Sequence, residues 1–175
     1  RVVGRIDAEK LAMRDGARGG DWPDLWVDAP YVRRRQAGRI VSGAVIAAGV
    51  VIIEDCLIDG NFAGSAHGIS DERRGGGELY VSNTTVRNNA GKGITIDPGA
   101  GTVAGQRIDV ALDNVRAQNS GFGMTFGNNT RVMINRSVFS GNAVGIAAST
   151  GLAAAEGNIS NSVISGGTSA YSLQA

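Results

Sequence analysis

The chain has 175 residues, of which 42% are hydrophobic and 19% charged, which is typical of a folded domain and not of a disordered chain. Glycine is frequent at 27 residues, but there are only three prolines and no Gly-X-Y period, which excludes collagen and indicates many tight turns. The net charge of +1 includes no concentrated basic face, so we predict no nucleic-acid partner. No apolar run approaches the ~18 residues of a membrane span, so we predict no transmembrane helix.

Residues 1–44 lack a sustained period of two or 3.6 residues. Ile6 to Met13 predicts a short helix with Asp7 at its N-cap, and Trp22, Trp26 and the basic run Arg33 to Arg35 follow it. Three interpretations stay open: an irregular or capping segment, which we favour, a ligand platform built from the Trp and Arg side chains, or a segment that is not native to the protein. Because the first residue is Arg and not Met, we expect a fragment or processed piece of a longer protein.

From Val45 onward the sequence repeats. Five segments superpose without a gap: Ile53 to Asn61, Val81 to Asn89, Leu112 to Ser120, Ile134 to Asn142 and Ile159 to Gly167. Each is followed by a small and then an apolar residue: Gly68-Ile69, Gly93-Ile94, Gly123-Met124, Gly145-Ile146 and Ala170-Tyr171. The first residues of successive segments are 28, 31, 22 and 25 positions apart, as in a solenoid whose loops vary in length on one side.

The apolar residues of each unit alternate and are mostly β-branched, in runs of three to five residues cut by Asn, Gly or Ser, which predicts short strands and not helices. Short strands joined at corners describe a single-stranded parallel β-helix of about five coils over residues 45–175. Two inward stacks follow from the superposition. The first is Ile53, Val81, Leu112, Ile134 and Ile159, and the second is Ile58, Val86, Ala117, Phe139 and Ile164.

Polar and small residues fall at fixed places in the repeat. A corner column contains Asp55, Asn83, Asn114, Arg136 and Asn161, where Asn tolerates left-handed backbone angles and bonds its neighbour in the next coil. We predict a second sharp bend at Gly68, Gly93, Gly123 and Gly145. Cys56 aligns with Thr84, Val115, Ser137 and Ser162, so we interpret it as a buried filler and not a nucleophile.

These repeats resemble a known family. The pattern Ile-x-Asn-small-x-Ile-x-x-Asn followed by Gly-Ile, seen from Val81 to Ile94 and from Ile134 to Ile146, is similar to the right-handed parallel β-helix repeat of the pectin-lyase-like superfamily. The repeat pattern particularly resembles that of bacterial right-handed β-helix repeat proteins whose function is unassigned. The resemblance covers residues 45–175 and implies a right-handed β-helix and an extracellular or cell-surface location. It leaves the activity open, because this architecture serves enzymes and inert scaffolds alike.

The lyases of this superfamily, by resemblance, hold Ca²⁺ with several carboxylates and use an Arg or Lys as base. Asp71, Glu72 and Asp97 follow the Gly-Ile corners of two neighbouring coils, with Arg73 and Arg74 beside them. A Ca²⁺ site needs six or more oxygen ligands, so three carboxylates form at most its centre. We therefore favour a solvated loop, and we predict no metal site and no cofactor.

The glycoside hydrolases of the superfamily, by resemblance, use clustered Asp residues and a Gly-His-Gly motif. This chain offers Glu54-Asp55, Asp59 and Ala66-His67-Gly68, but Asp55 falls in the corner column and Glu54 is expected to point outward. We favour an ordinary turn histidine at His67, the only histidine in the chain.

The sequence therefore predicts a non-catalytic scaffold or glycan-binding solenoid, with Asp71, Glu72, Asp97 and His67 as its candidate ligand-binding residues. The alternative is a polysaccharide lyase or glycoside hydrolase of the pectin-lyase-like superfamily. We expect a polysaccharide as partner, together with self-association through the strand edge of the C-terminal coil.

Overall fold

The computed structural model describes residues 25–27, 35–36, 39–40, 49–62, 64, 66–98, 105–149 and 154–174. These residues contain β-strands and turns but no helix, and their parallel sheets stack as a β-solenoid of about four turns. The prediction of a parallel β-helix is confirmed at this level. Since no helix occurs in the described ranges, none there is long and apolar enough to cross a membrane.

The first sheet contains one strand from each coil. Its strands, in spatial order, are β1 (Leu25–Val27), β4 (Val50–Glu54), β7 (Gly77–Ser82), β10 (Ile108–Asp113), β13 (Thr130–Asn135) and β15 (Ala155–Ser160). All of its pairs are parallel, and β10 and β13 alternate regularly between buried and partly or fully exposed side chains. The side chains of one parity fill the core, and those of the other parity form an outer surface.

The second and third faces share one continuous sheet. Its strands are β5 (Leu57–Asp59), β8 (Thr85–Arg87), β11 (Arg116–Gln118), β14 (Val138–Ser149), β12 (Phe122–Phe126), β9 (Lys92–Ile96) and β6 (Ile69–Asp71), and β16 (Val163–Gln174) pairs with β14. The first part of β14 pairs with β11 and its last part with β12, so this long strand joins the two faces.

Both inward stacks have the predicted register. Ile53 pairs with Val81 and Val86 with Ala117, and the same columns continue through every later coil. Phe139 is completely buried at the centre of the second stack. Ile159, at the last position of the first stack, is 38% exposed because no further strand covers β15 among the described residues.

The corner between the first two faces is confirmed as left-handed. Every residue in the column has φ close to +50°: Asp55, Asn83, Asn114, Arg136 and Asn161. The predicted side-chain ladder exists between Asn83 and Asn114, whose Nδ2 donates to Asn83 Oδ1 over 2.9 Å. In the next coil Arg136 takes the place of Asn, and its longer side chain donates to the carboxylate of Asp113.

The interior of this corner is held by hydroxyl groups. The Oγ atoms of Thr84, Ser137 and Ser162 accept hydrogen bonds from backbone N–H groups of the preceding coil at 3.0–3.3 Å. Cys56 takes the same column, is buried, and forms no disulfide. Its Sγ lies 3.0 Å from the carbonyl of Glu54, which supports its interpretation as a filler.

The predicted bend is present at Gly68, directly before β6, but not at the other three glycines. Gly93, Gly123 and Gly145 lie inside strands β9, β12 and β14 and lack left-handed φ angles. A Cβ on any of them would lie 2.5–2.6 Å from a carbonyl oxygen of the next coil, so close packing between coils excludes a side chain. On Gly123 it would also lie 2.7 Å from the buried amide nitrogen of Asn142.

The described residues before position 44 form three short strands. Besides β1, strands β2 (Arg35–Gln36) and β3 (Arg39–Ile40) pair antiparallel with each other. The pairing of β1 with β4 adds a strand to the first sheet upstream of the repeats. The predicted helix from Ile6 to Met13 lies outside the described residues, and the boundary at residue 44 stays a prediction.

Candidate functional site

The three predicted carboxylates lie at the start of the third face, but Asp71 is already neutralised. Arg73 Nε donates to Asp71 Oδ1 at 2.9 Å and its Nη2 to Oδ2 at 2.6 Å, in a bidentate pair in which both side chains are largely buried. The same guanidinium donates to the carbonyls of Gly49 and Glu78. Asp71 and Arg73 therefore form a structural clamp between the third face and the first sheet.

The other two carboxylates do not join Asp71 around one centre. Asp71 pairs with Ile96, and Asp97 follows the end of β9, where its backbone N–H donates to the Asp71 carbonyl at 2.9 Å. Asp97 is exposed, and Glu72 is exposed with Ser70 Oγ donating to it at 2.9 Å. Within the described ranges, no three His, Cys, Asp or Glu side chains are placed to hold a metal ion. A ligand-binding role for the three stays a prediction.

His67 braces the turn that leads into the third face. Its Nδ1 accepts the backbone N–H of Lys92 at 3.3 Å, and its carbonyl accepts Nδ2 of Asn61 at 3.2 Å. Partial burial, reinforced by the charge of Lys92, lowers the pKa of His67 below its ordinary value, while Glu72 acts in the opposite direction. The neutral imidazole is the form that accepts this hydrogen bond, so His67 has a structural function here whatever else it binds.

The remaining hydrolase candidates are also separated. Glu54 is exposed at the end of β4, as predicted, and Asp55 adopts the left-handed corner conformation. Asp59 accepts hydrogen bonds from Arg87 at 2.9 Å and Asn88 at 2.7 Å on the second face. These carboxylates therefore lie where the coil repeat places them, at the end of β4, in the corner and on the second face. Among the described residues, no three of these carboxylates and His67 are placed to hold a metal ion.

A different surface has the character of a binding site: the outer face of the first sheet. We define this outer face as the outward side chains of β4, β7, β10, β13 and β15. Register divides it into three rows parallel to the solenoid axis. The charged row contains Glu78, Asp109, Arg131 and Glu156; the apolar row contains Ile52, Tyr80, Ala111 and Met133, ending at Asn158; and the polar row contains Glu54, Ser82, Asp113, Asn135 and Ser160.

The apolar row is open to solvent. Tyr80 is 42% exposed and Met133 is 58% exposed, and both belong to strands whose neighbouring side chains are almost completely buried. The Tyr80 hydroxyl donates to Glu78 Oε2 at 2.8 Å, which fixes the ring beside the charged row. This hydrogen bond and the negative charge of Glu78 raise the pKa of Tyr80 above its ordinary value.

Ion pairs order the rows on either side. Asp109 lies 2.9 Å from Arg107 and 3.8 Å from Arg131, and Arg131 also reaches Glu156 at 3.1 Å. In the polar row Arg136 binds Asp113 with two nitrogens, and its hydrogen bonds lower the pKa of that carboxyl. The result is a flat, hydrogen-bonding border around an apolar strip.

The sequence contains a signal for this surface, although none of the candidate ligand-binding residues predicted from the sequence lies on it. Leu79-Tyr80-Val81 and Val132-Met133-Ile134 show the alternation that buries the outer two residues of each triplet. The middle residue must then point outward, and the repeat register places Tyr80 and Met133 in one row. Large apolar residues at outward positions are the informative exception in such a strand.

No family model, curated protein or solved structure matches this chain. The resemblance to the pectin-lyase-like superfamily therefore stays a prediction from the repeat pattern.

Proposed function

We propose that this chain is a non-catalytic β-solenoid that binds a polysaccharide along the outer face of its first sheet. The observation that carries the proposal is the exposed apolar row, Tyr80 and Met133 above all, between two hydrogen-bonding rows. Sugar rings present apolar C–H faces and polar edges, and this surface offers the matching arrangement. Aromatic side chains with a polar tip are well suited to such contacts.

The solenoid geometry also suits an extended polymer. Successive coils place the corresponding side chains of each row about 4.8 Å apart along the axis, so a row offers a line of contact points to an extended chain. Ion pairs hold four of the border side chains, so these four lose less freedom when a ligand binds: Asp109, Asp113, Arg131 and Glu156. A preorganised surface of this kind binds a long chain through many weak contacts.

The alternative function is that of a polysaccharide lyase or glycoside hydrolase. On the basis of the repeats we propose the pectin-lyase-like superfamily as the family, which implies a bacterial origin and an extracellular location. The pairing of Asp71 with Arg73 argues against the carboxylate site that such an enzyme needs. Incubation with acidic polysaccharides, with and without Ca²⁺, tests this alternative. Unsaturated or shortened products would support the enzyme.

Isothermal titration with soluble hexasaccharides tests binding at the outer face. We expect Tyr80→Ala to weaken binding by about ten-fold, because a stacked aromatic contributes on the order of 1 kcal/mol or more. Phe62→Ala is the control, since Phe62 is an aromatic residue that is 75% exposed after β5, away from the outer face. Equal affinity of wild type and Tyr80→Ala would refute the proposal.

We also propose that the edge formed by β15 and β16 pairs with another β-strand edge. Ile159, Val163 and Tyr171 are exposed there, and Glu156 is the only charged residue between positions 137 and 171. Charges are a common protection of strand edges, and this edge has almost none. Light scattering should show a dimer that Val163→Lys converts to a monomer; a concentration-independent monomer for the wild-type chain would contradict this.

A further inference from the structure

We propose that the polysaccharide bound at the outer face carries free amino groups, as a de-N-acetylated amino-sugar polymer does. This inference rests on the proposed function and adds the chemical class of its ligand. It follows from the distribution of charge around Tyr80, and not from the apolar row itself.

Two carboxylates of the outer face have no cationic partner among the described side chains. Glu78 accepts the Tyr80 hydroxyl at 2.8 Å, and Glu54 accepts the Ser82 hydroxyl at 3.1 Å, but neither takes part in an ion pair. An ionised carboxylate has about four acceptor sites, so each retains capacity for further donors. Glu78 lies in the charged row and Glu54 in the polar row, on the two sides of the apolar strip.

The other three carboxylates of the outer face are balanced. Asp109, Asp113 and Glu156 pair with the guanidinium groups of Arg107, Arg131 and Arg136. The outer face has five carboxylates and Arg131, and Arg107 and Arg136 just outside its strands pair with two of the carboxylates. Two negative charges remain unbalanced, both at the end of the strip that carries Ile52 and Tyr80. A polyanionic chain would be repelled there, and an uncharged chain could donate hydroxyl hydrogen bonds to the carboxylates but would leave their negative charge unbalanced.

An amino sugar uses every feature of this end of the strip. Its ammonium group donates to Glu54 or Glu78, its ring lies on Tyr80, and an ammonium close to the ring gains a cation–π attraction. The second face is a poorer candidate, because its outward side chains include Arg87 and Arg116. Charge complementarity therefore selects both the ligand class and the surface.

The test compares three hexasaccharide probes: one of glucosamine, one of N-acetylglucosamine and one of galacturonate, at a pH at which the free amines are protonated. We expect the glucosamine probe to bind most tightly and to lose its advantage as salt rises from about 20 to about 200 mM, because these charges are exposed. In the double variant Glu54→Gln/Glu78→Gln, affinity for glucosamine should fall by roughly two- to thirty-fold, while N-acetylglucosamine is unaffected. Glu72→Gln removes an exposed carboxylate of the third face for comparison: unchanged affinity agrees with binding at the outer face, whereas a loss as large as that of the double variant would place the amino group at the third face and overturn the inference.

The outcomes separate the two proposals. If glucosamine and N-acetylglucosamine bind equally, or galacturonate binds best, or the double variant binds glucosamine as the wild type does, the amino-group inference is wrong. The proposed function survives any of these results when Tyr80→Ala still weakens binding. If none of the three probes binds, both proposals fall.

Discussion

Replacement of Gly123 by Ala should destabilise the solenoid severely, although it adds only one methyl group. The new Cβ would lie 2.5 Å from the carbonyl oxygen of Gly145, 2.7 Å from Nδ2 of Asn142 and 3.0 Å from a ring carbon of Phe139. Two of these neighbours are fixed. The carbonyl belongs to the adjacent coil, and the Asn142 amide donates to the carbonyl of Ala117 at 2.9 Å while its Oδ1 accepts the N–H of Ser120 at 3.0 Å.

The expected loss can be estimated from these contacts. Overpacking in a close-packed interior costs about 1–3 kcal/mol, and displacing a buried amide from its partners costs about 1–3 kcal/mol more. The same shift of neighbouring atoms relieves part of both costs, so they do not add fully. We therefore expect a loss of about 2–5 kcal/mol in the free energy of unfolding. With a urea m-value of about 2 kcal/mol/M, the midpoint of unfolding should fall by roughly 1–2.5 M.

Two matched variants isolate the cause, with circular dichroism in urea as the assay. At Gly75 a Cβ meets no atom within 4 Å and φ is not left-handed, so Gly75→Ala should change stability by at most about 0.5 kcal/mol. Gly105 has equally open space but a φ of +78°, so Gly105→Ala measures backbone strain alone. If Gly123→Ala is no more destabilising than Gly75→Ala, the reasoning about coil packing is wrong.

Three further predictions concern single groups. Because the pKa of His67 is lowered in the folded chain, stability should fall as pH drops below about 6.5, the ordinary value at which the unfolded histidine gains its proton, and level off below the folded pKa. Denaturation across this range checks the slope, and His67→Gln should flatten it. Because the pKa of Tyr80 is raised in the folded chain, its hydrogen bond to Glu78 contributes to stability below pH ~10, and this contribution is lost as the pH rises through the folded pKa. Ultraviolet titration should show the pKa of Tyr80 falling toward ~10 in Glu78→Gln. Cys56 should resist thiol reagents in the native chain and react at once in urea, whereas rapid native reaction would contradict its burial.

Much of the fold was predictable because each position in a solenoid repeats. The superposition that placed Ile53 under Val81 and Phe139 under Ile164 gave the correct register, since a one-residue slip would turn every apolar side chain outward. Arg136 shows the limit of residue preference: coil geometry imposes a φ of +50° on a residue that rarely adopts it.

The candidate site was less predictable, for a physical reason. Asp71 was predicted as a ligand-binding residue because other charged residues lie beside it in the sequence. Its carboxylate is instead occupied by the bidentate contact with Arg73. That contact depends on the conformation of the Arg73 side chain, which sequence spacing does not determine. The outer face depends only on strand parity and register, so it follows from the same repeat that gives the fold.

Methyl NMR of methionine tests the central claim most directly. Met133 lies in the apolar row and is 58% exposed, whereas Met124 is completely buried in the core of the same coils and provides an internal reference. On titration with the glucosamine hexasaccharide, the Met133 methyl signal should shift in a saturable manner while the Met124 signal stays in place. An unchanged Met133 signal at a ligand concentration that saturates binding would place the polysaccharide elsewhere and contradict the assignment of the outer face.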